Sequence, residues 1–343
     1  MAAVRPRDLL TDELLARLGP AGAPTADIAG LAEVGYLNVA LPPEFGGLGC
    51  TLRQAACGQR RLARHAPDTA LAVSAHLYWT GAAADAYRAG DDSVRWILAE
   101  AAGGALFAGG HGGTGGDLRF ADPRSRCEPS GASGYQFRDP GVLSTLTQAW
   151  DWIAVHGVHA VGRSGPPQSV IAFAGRGARC TPGFRVARVS AAGTPADVFT
   201  TSVLTWGHSI LASVQYSDAR RAFNDAITAC AESATPAAFA DPAPHGDPPA
   251  SASPAPRPAP SGGRPTGRWP VAEAGVLLDD MKAKIAEITH PWQLVQAPTP
   301  DLGGQHLIGL HAMRHQVAEG AATVHALVRQ LTGTKVPARP LPL

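Results

Sequence analysis

At 343 residues and 45% hydrophobic side chains, the chain has enough apolar mass for a large core and enough length for two or three packed units. Twenty-nine Lys and Arg against 28 Asp and Glu leave a formal charge of +1 with no basic stripe, which argues against nucleic acid as a partner. No apolar run approaches the ~18 residues that span a bilayer, and MAAVRPRDLLTDELL carries no apolar signal core.

The five cysteines are scattered without CxxC spacing. They fit reduced thiols, and hence a cytoplasmic protein, better than a disulfide framework or a zinc site. In chain order, residues 7–107 read as helix. RDLLTDELLARL and TADIAGLAEVGYL repeat apolar residues at three- and four-residue spacing, with Thr25 placed as an N-cap. PPEFGGLG (42–49) interrupts the pattern. RQAACGQRRLARHA, TALAVSAHLYWTGAAADAY and DSVRWILAEAA resume it, and the apolar stretch around Leu71–Trp79 predicts a helix buried on most sides.

Between 117 and 222 the character changes. GYQFRD, DWIAVHGVHAVG, QSVIAFAG, FRVARVS and SVQYSDA are short runs rich in β-branched and aromatic residues, separated by Gly, Pro and Ser clusters. That is the pattern of an antiparallel sheet or barrel. Residues 234–270 then hold eleven prolines. Proline so dense forms neither helix nor central strand, and the expectation is a mobile, partly polyproline-II linker. Helical spacing returns in 271–290 and 305–332.

Several of these segments resemble the acyl-CoA dehydrogenases. LAEVGYLNVALPPEFGGLG (31–49) is similar to that family's "P-e-e-y-GGlG" segment, and LARHAPDTALAVSAHL (62–77) to the helix that follows it. YRAGDDSVRWILAEAAGGALF (87–107) resembles the family's lead into its flavin loop. Residues 121–157 resemble its strand–turn–strand run, and WGHSILASVQYSDA (206–219) a shortened form of its last strand. The resemblance implies an α+β multidomain fold of acyl-CoA dehydrogenase type. Its parts would be an N-terminal helical domain (1–116), a middle antiparallel β-barrel (117–233), the linker (234–270) and a reduced C-terminal helical bundle (271–343).

The loop GGHGGTGGD (109–117) resembles the family's "T-E-P-x-x-G-S-D". Aligned on Asp117, Phe107 takes the aromatic position, Gly110 the threonine, His111 the glutamate, Gly115 the glycine and Gly116 the serine. The resemblance implies FAD as cofactor, held through Phe107, Gly109 and Gly110, with Gly115 and Gly116 toward the substrate. Aligned on Asp151, Thr145 keeps the hydroxyl that lies beside the flavin, whereas Leu143 and Gly141 replace an aromatic and a lysine. The linker stands where relatives carry an arginine-bearing "R-x-x-F-G".

Dehydrogenation needs a base near the α-carbon. The chain ends before the family's usual glutamate position, so none is carried over; His111, Glu273 and Glu319 are the remaining residue types. The activity implied is FAD-dependent CH–CH dehydrogenation of an acyl thioester or related small molecule. Two alternatives stand beside it: a catalytically silent subunit or scaffold working with a partner, and a flavin-dependent monooxygenase on the same fold. Homo- or hetero-oligomers through the C-terminal helices are expected by the same resemblance. His311 and His315 share a helix face at i, i+4, but no third metal ligand accompanies them, and no metal is assigned.

Overall fold

The computed structural model describes residues 4–18, 24–109, 126–130, 134–138, 149–161, 165–176, 184–191, 197–234, 268–294 and 303–333. Six helices come first: α1 (Pro6–Leu9), α2 (Asp12–Arg17), α3 (Pro24–Glu33), α4 (Leu52–His65), α5 (Pro67–Arg88) and α6 (Arg95–Ala102). Local chemistry sets their starts. The Thr51 hydroxyl accepts the Gln54 N–H, and the Gln54 side chain accepts the Thr51 N–H at 2.9 Å, a capping box that opens α4. Pro67 opens α5 at a position where a missing N–H costs nothing. The break at PPEFGGLG is a turn in which a side chain on Gly47 would meet the Leu41 carbonyl at 2.1 Å.

The strands are β1 (Phe107–Ala108), β2 (Arg126–Ser130), β3 (Gly134–Arg138), β4 (Trp152–His159), β5 (Gln168–Gly175) and β6 (Phe184–Ala191). They form one mixed sheet in the order β3-β2-β4-β5-β6, with β1 also paired to β4. β1 and β2 run parallel to β4, and the other pairings are antiparallel. The sheet curls: Phe137 of β3 and Phe184 of β6, its two ends, lie 4.8 Å apart between ring centroids. Cys127, Phe137, Val155, Val170 and Ala172 fill the inside of that curl. The opposite face joins the helical core through Trp152, Ala154, Ile171, Phe173 and Ala187.

The chain then enters α7 (Val198–Ala234), followed by α8 (Arg268–Thr289), α9 (Pro291–Leu294) and α10 (Gly303–Thr332). Here the sequence-based expectation fails. Residues 206–219, expected as a strand, and all of 198–233, expected within the β module, are helix. Asp197 caps the start, accepting the Thr200 N–H at 3.0 Å. Hydroxyls along the helix return to the carbonyl four residues back, as Thr201 does to Asp197 and Thr205 to Thr201. Burial between α5 and α10 overrides the strand preference of the Val, Thr and Tyr residues.

α7 and α10 lie side by side in the same direction. The Thr205 hydroxyl meets His306 Nε2 at 2.9 Å, and farther along Asp218 meets His325 Nε2 at 3.2 Å. On its other side α7 presses Trp206 against α5 at Gly81, where a Cβ would come within 2.3 Å of the indole. α8 and α10 coincide with the helical spacing in the sequence. Residues 235–267, the bulk of the expected linker, lie outside the described residues.

Candidate active site

α6 ends at Gly103 and the chain turns into β1, the strand that leads to the glycine-rich loop. Three groups from distant parts of the chain fix its backbone. Leu106 donates its N–H to the Asp151 carboxylate at 2.9 Å. The Leu106 carbonyl in turn accepts the N–H groups of Asp151 and Trp152 at 2.9 and 3.0 Å. Phe107 donates its N–H to His76 Nδ1 at 3.3 Å, and His76 Nε2 lies 3.0 Å from the Leu37 carbonyl. Because Nδ1 accepts, the ring proton sits on Nε2 and is donated to Leu37. Burial pushes His76 down to about 4, so the imidazole is neutral at ordinary pH.

Phe107 therefore has a structural use. Its ring is wholly buried, 5.4 Å from Phe173 and 6.0 Å from Trp96. Trp96 also packs edge-on to Trp152 at 5.2 Å and carries Arg185 over its face at 4.0 Å. These rings make an apolar wall that keeps water away from β1. Gly109, the last described residue before the loop, is buried. Gly110, His111, Gly115, Gly116, Asp117, Gly141, Leu143 and Thr145 lie outside the described residues. Glu273 and Glu319 are exposed on α8 and α10.

β1 meets β4 at Trp152 and Ile153, and β2 joins β4 at Val158. Between those points stands His156, half-buried, with Nε2 2.6 Å from the Ser169 hydroxyl of β5. The sequence offered no sign of this pair, since it depends on the β4–β5 register. A second group it did not single out is Asp85 of α5. Its Oδ2 accepts the indole N–H of Trp206 at 2.7 Å and of Trp292 at 3.0 Å, and its Oδ1 accepts Arg88 at 3.0 Å. Burial pushes the Asp85 carboxyl upward, against these partners. Trp292 stacks on His306 at 5.1 Å, which closes the contact from α5 through α9 to α10. The one sequence cue was an aspartate set among alanines.

Among the described residues no group of three or more His, Cys, Asp or Glu could hold a metal ion, and no helix is long and apolar enough to cross a membrane. His311, considered with His315, lies with its ring 5.2 Å from that of His208.

No family model matches the chain, and no curated protein does. Solved structures match it over nearly its whole length. KijD3 in complex with FMN and dTDP-3-amino-2,3,6-trideoxy-4-keto-3-methyl-D-glucose aligns with a TM-score of 0.70 at 18% identity, covering 96% of this chain and 83% of KijD3. A nitrososynthase from Micromonospora carbonacea var. africana gives 0.65 at 18%, over 96% and 86%. The methanesulfinate monooxygenase MsuC from Pseudomonas fluorescens gives 0.63 at 13%, over 97% and 87%. The chain has the acyl-CoA dehydrogenase fold.

Among the described residues, the backbone that leads into the glycine-rich loop is held by His76 and Asp151 and backed by buried aromatic rings, an arrangement that a flat, largely apolar ring such as a flavin's would fit.

Proposed function

We propose that this chain is a flavin-dependent oxidoreductase that oxygenates a small molecule. The observation that carries the reading is the fold match: of three similar structures, one is in complex with FMN and an amino sugar nucleotide, one is a nitrososynthase and one a monooxygenase. Oxygenation does not demand the glutamate base that dehydrogenation of an acyl thioester requires.

Bound flavin supplies the electrons that activate oxygen. The chain's own residues do the rest. His76 and Asp151 hold the strand before the loop in one position, which preorganises whatever that backbone contacts. Trp96, Phe107, Trp152 and Phe173 exclude water from its inner side. Gly109 permits close approach of the backbone to a ring. Assembly through α8 and α10 belongs to the same proposal, supported by Trp269, Val276 and Ile308, which are 78%, 62% and 72% exposed.

The test is product analysis with photoreduced FMN or FAD, oxygen, and a panel of amino sugar nucleotides and acyl thioesters. Gain of one oxygen atom by a substrate is the expected result. Loss of two hydrogens from an acyl thioester would instead establish dehydrogenation. Neither reaction, with no flavin bound, would make the chain the silent member of a larger assembly.

A further inference from the structure

Positive and negative side chains nearly cancel over the whole chain, and read as a line the sequence shows no basic stripe. Folded, α4 carries one. The helix turns Leu52, Ala55, Gln59, Leu62 and Ala63 inward. Gln59 fixes that face, because its side-chain amide accepts the Tyr36 hydroxyl at 3.2 Å and donates to the Ala70 carbonyl at 2.9 Å. At 3.6 residues per turn, Arg53, Cys57, Arg60 and Arg64 then fall within about 60° of one another on the outward side. Arg53, Cys57 and Arg64 are exposed and Arg60 is half-buried. From Arg53 to Arg64 the stripe is about 16 Å long at ~1.5 Å per residue.

Among the described residues, none of these three arginines meets a carboxylate. Arg53 Nη1 donates to His290 Nδ1 at 3.3 Å, and Arg60 Nη2 to Cys57 Sγ at 3.2 Å. Arg61, beside the stripe, differs, since Asp12 of α2 takes its guanidinium at 2.7 Å. Folding does not ask for the rest. Arg64 and His65 suit the last turn, where the helix dipole favours positive charge. Arg53 stands in the first turn, where the same dipole disfavours it. Arg60 and Arg64, four residues apart, repel each other.

We propose that this face of α4 is a docking surface for an acidic protein. Guanidinium groups take carboxylates in two-pronged pairs, and three of them on one rigid helix face match carboxylates repeated along a partner's helix or strand. Nucleic acid and membrane fit less well. The stripe offers no aromatic or large apolar side chain to stack on a base or enter lipid. A formal charge of +1 also gives the chain no broad field for a phosphate backbone. The inference stands apart from the flavin reading.

The experiment measures binding of the full chain to labelled poly-L-glutamate, to a labelled DNA duplex and to phosphatidylglycerol vesicles, at low and high salt. Wild type is compared with the triple variant Arg53→Glu, Arg60→Glu, Arg64→Glu. A control triple, Arg17→Glu, Arg126→Glu, Lys282→Glu, makes the same change in net charge with exposed residues of α2, β2 and α8. The double variant Arg60→Gln, Arg64→Gln relieves the like-charge pair and carries the test if the charge reversals do not fold. The expected result is salt-sensitive binding of poly-L-glutamate, weakened at least about tenfold by the stripe reversal, about threefold by the double variant and less than about twofold by the control. Equal loss in the control would overturn the inference, because net charge alone would then suffice. Tighter binding of DNA or vesicles than of poly-L-glutamate would overturn it in favour of a phosphate-bearing partner. Failure of wild type to bind poly-L-glutamate at low salt would overturn it outright.

Discussion

The backbone N–H of Phe107 ends on Nδ1 of His76, 3.3 Å away and 31 residues earlier in the chain. One neutral imidazole thus ties the middle of α5 to the strand that leads into the glycine-rich loop, while its other nitrogen holds the Leu37 carbonyl. Replacing it strands two buried backbone groups. His76→Leu should cost about 2–4 kcal/mol, from two unsatisfied groups less the apolar gain. Chemical denaturation measures it. A loss below about 1 kcal/mol would mean that the imidazole does not hold these groups.

The same residue sets a pH dependence. Burial lowers His76 from the ordinary 6.5 to about 4, so between those values the unfolded chain binds a proton that the folded chain refuses. Stability from this group is full above pH 6.5 and falls as pH drops toward 4, by about 3 kcal/mol at most. Comparing the denaturation midpoints of wild type and His76→Leu across that window isolates it. The two curves should converge as the pH falls.

Asp85 carries the opposite sign. Its pKa is raised, so the contribution of this group is greatest below the ordinary carboxyl value of 3.8 and is lost as pH rises through the folded value. Burial of the carboxyl is a cost, whereas its role as acceptor for Trp206 and Trp292 is a gain. Asp85→Asn keeps an acceptor and should stay within about 1 kcal/mol of wild type at pH 7. Asp85→Leu strands both indole donors and should lose about 2–4 kcal/mol. Equal effects of the two substitutions would contradict this division.

Gly81 tests how closely α5 and α7 approach. A methyl group there would sit 2.3 Å from the Trp206 ring, at the same turn of α5 that brings Asp85 to the indole N–H. Gly81→Ala should destabilise by about 1–3 kcal/mol, in spite of alanine's better helix propensity, and should alter the near-ultraviolet tryptophan signal. A stabilised variant would show that the helices have room to part.

What the sequence made legible follows from the range of each interaction. α4, α5, α8 and α10 were readable because their spacing and caps, such as Thr51 with Gln54, are local. The strand over Trp152–His159 was readable from its β-branched and aromatic run, but its pairing with β1 was not. α7 was not: its Val, Ser, Thr and Tyr residues match a strand locally, and only burial between α5 and α10 decides for helix. His76 with Phe107, and His156 with Ser169, were hidden because each pairing depends on packing or register across the fold. The loop residues Gly110, His111, Gly115 and Gly116, and Thr145, remain positions proposed on the resemblance alone.

The proposed chemistry depends on this fold holding a flavin. The most direct measurement is equilibrium dialysis of the purified chain against oxidised and photoreduced FMN and FAD. Near-stoichiometric retention of at least one form, with its visible absorption perturbed by the site, is the expected result. No retention of either flavin in either oxidation state would contradict it.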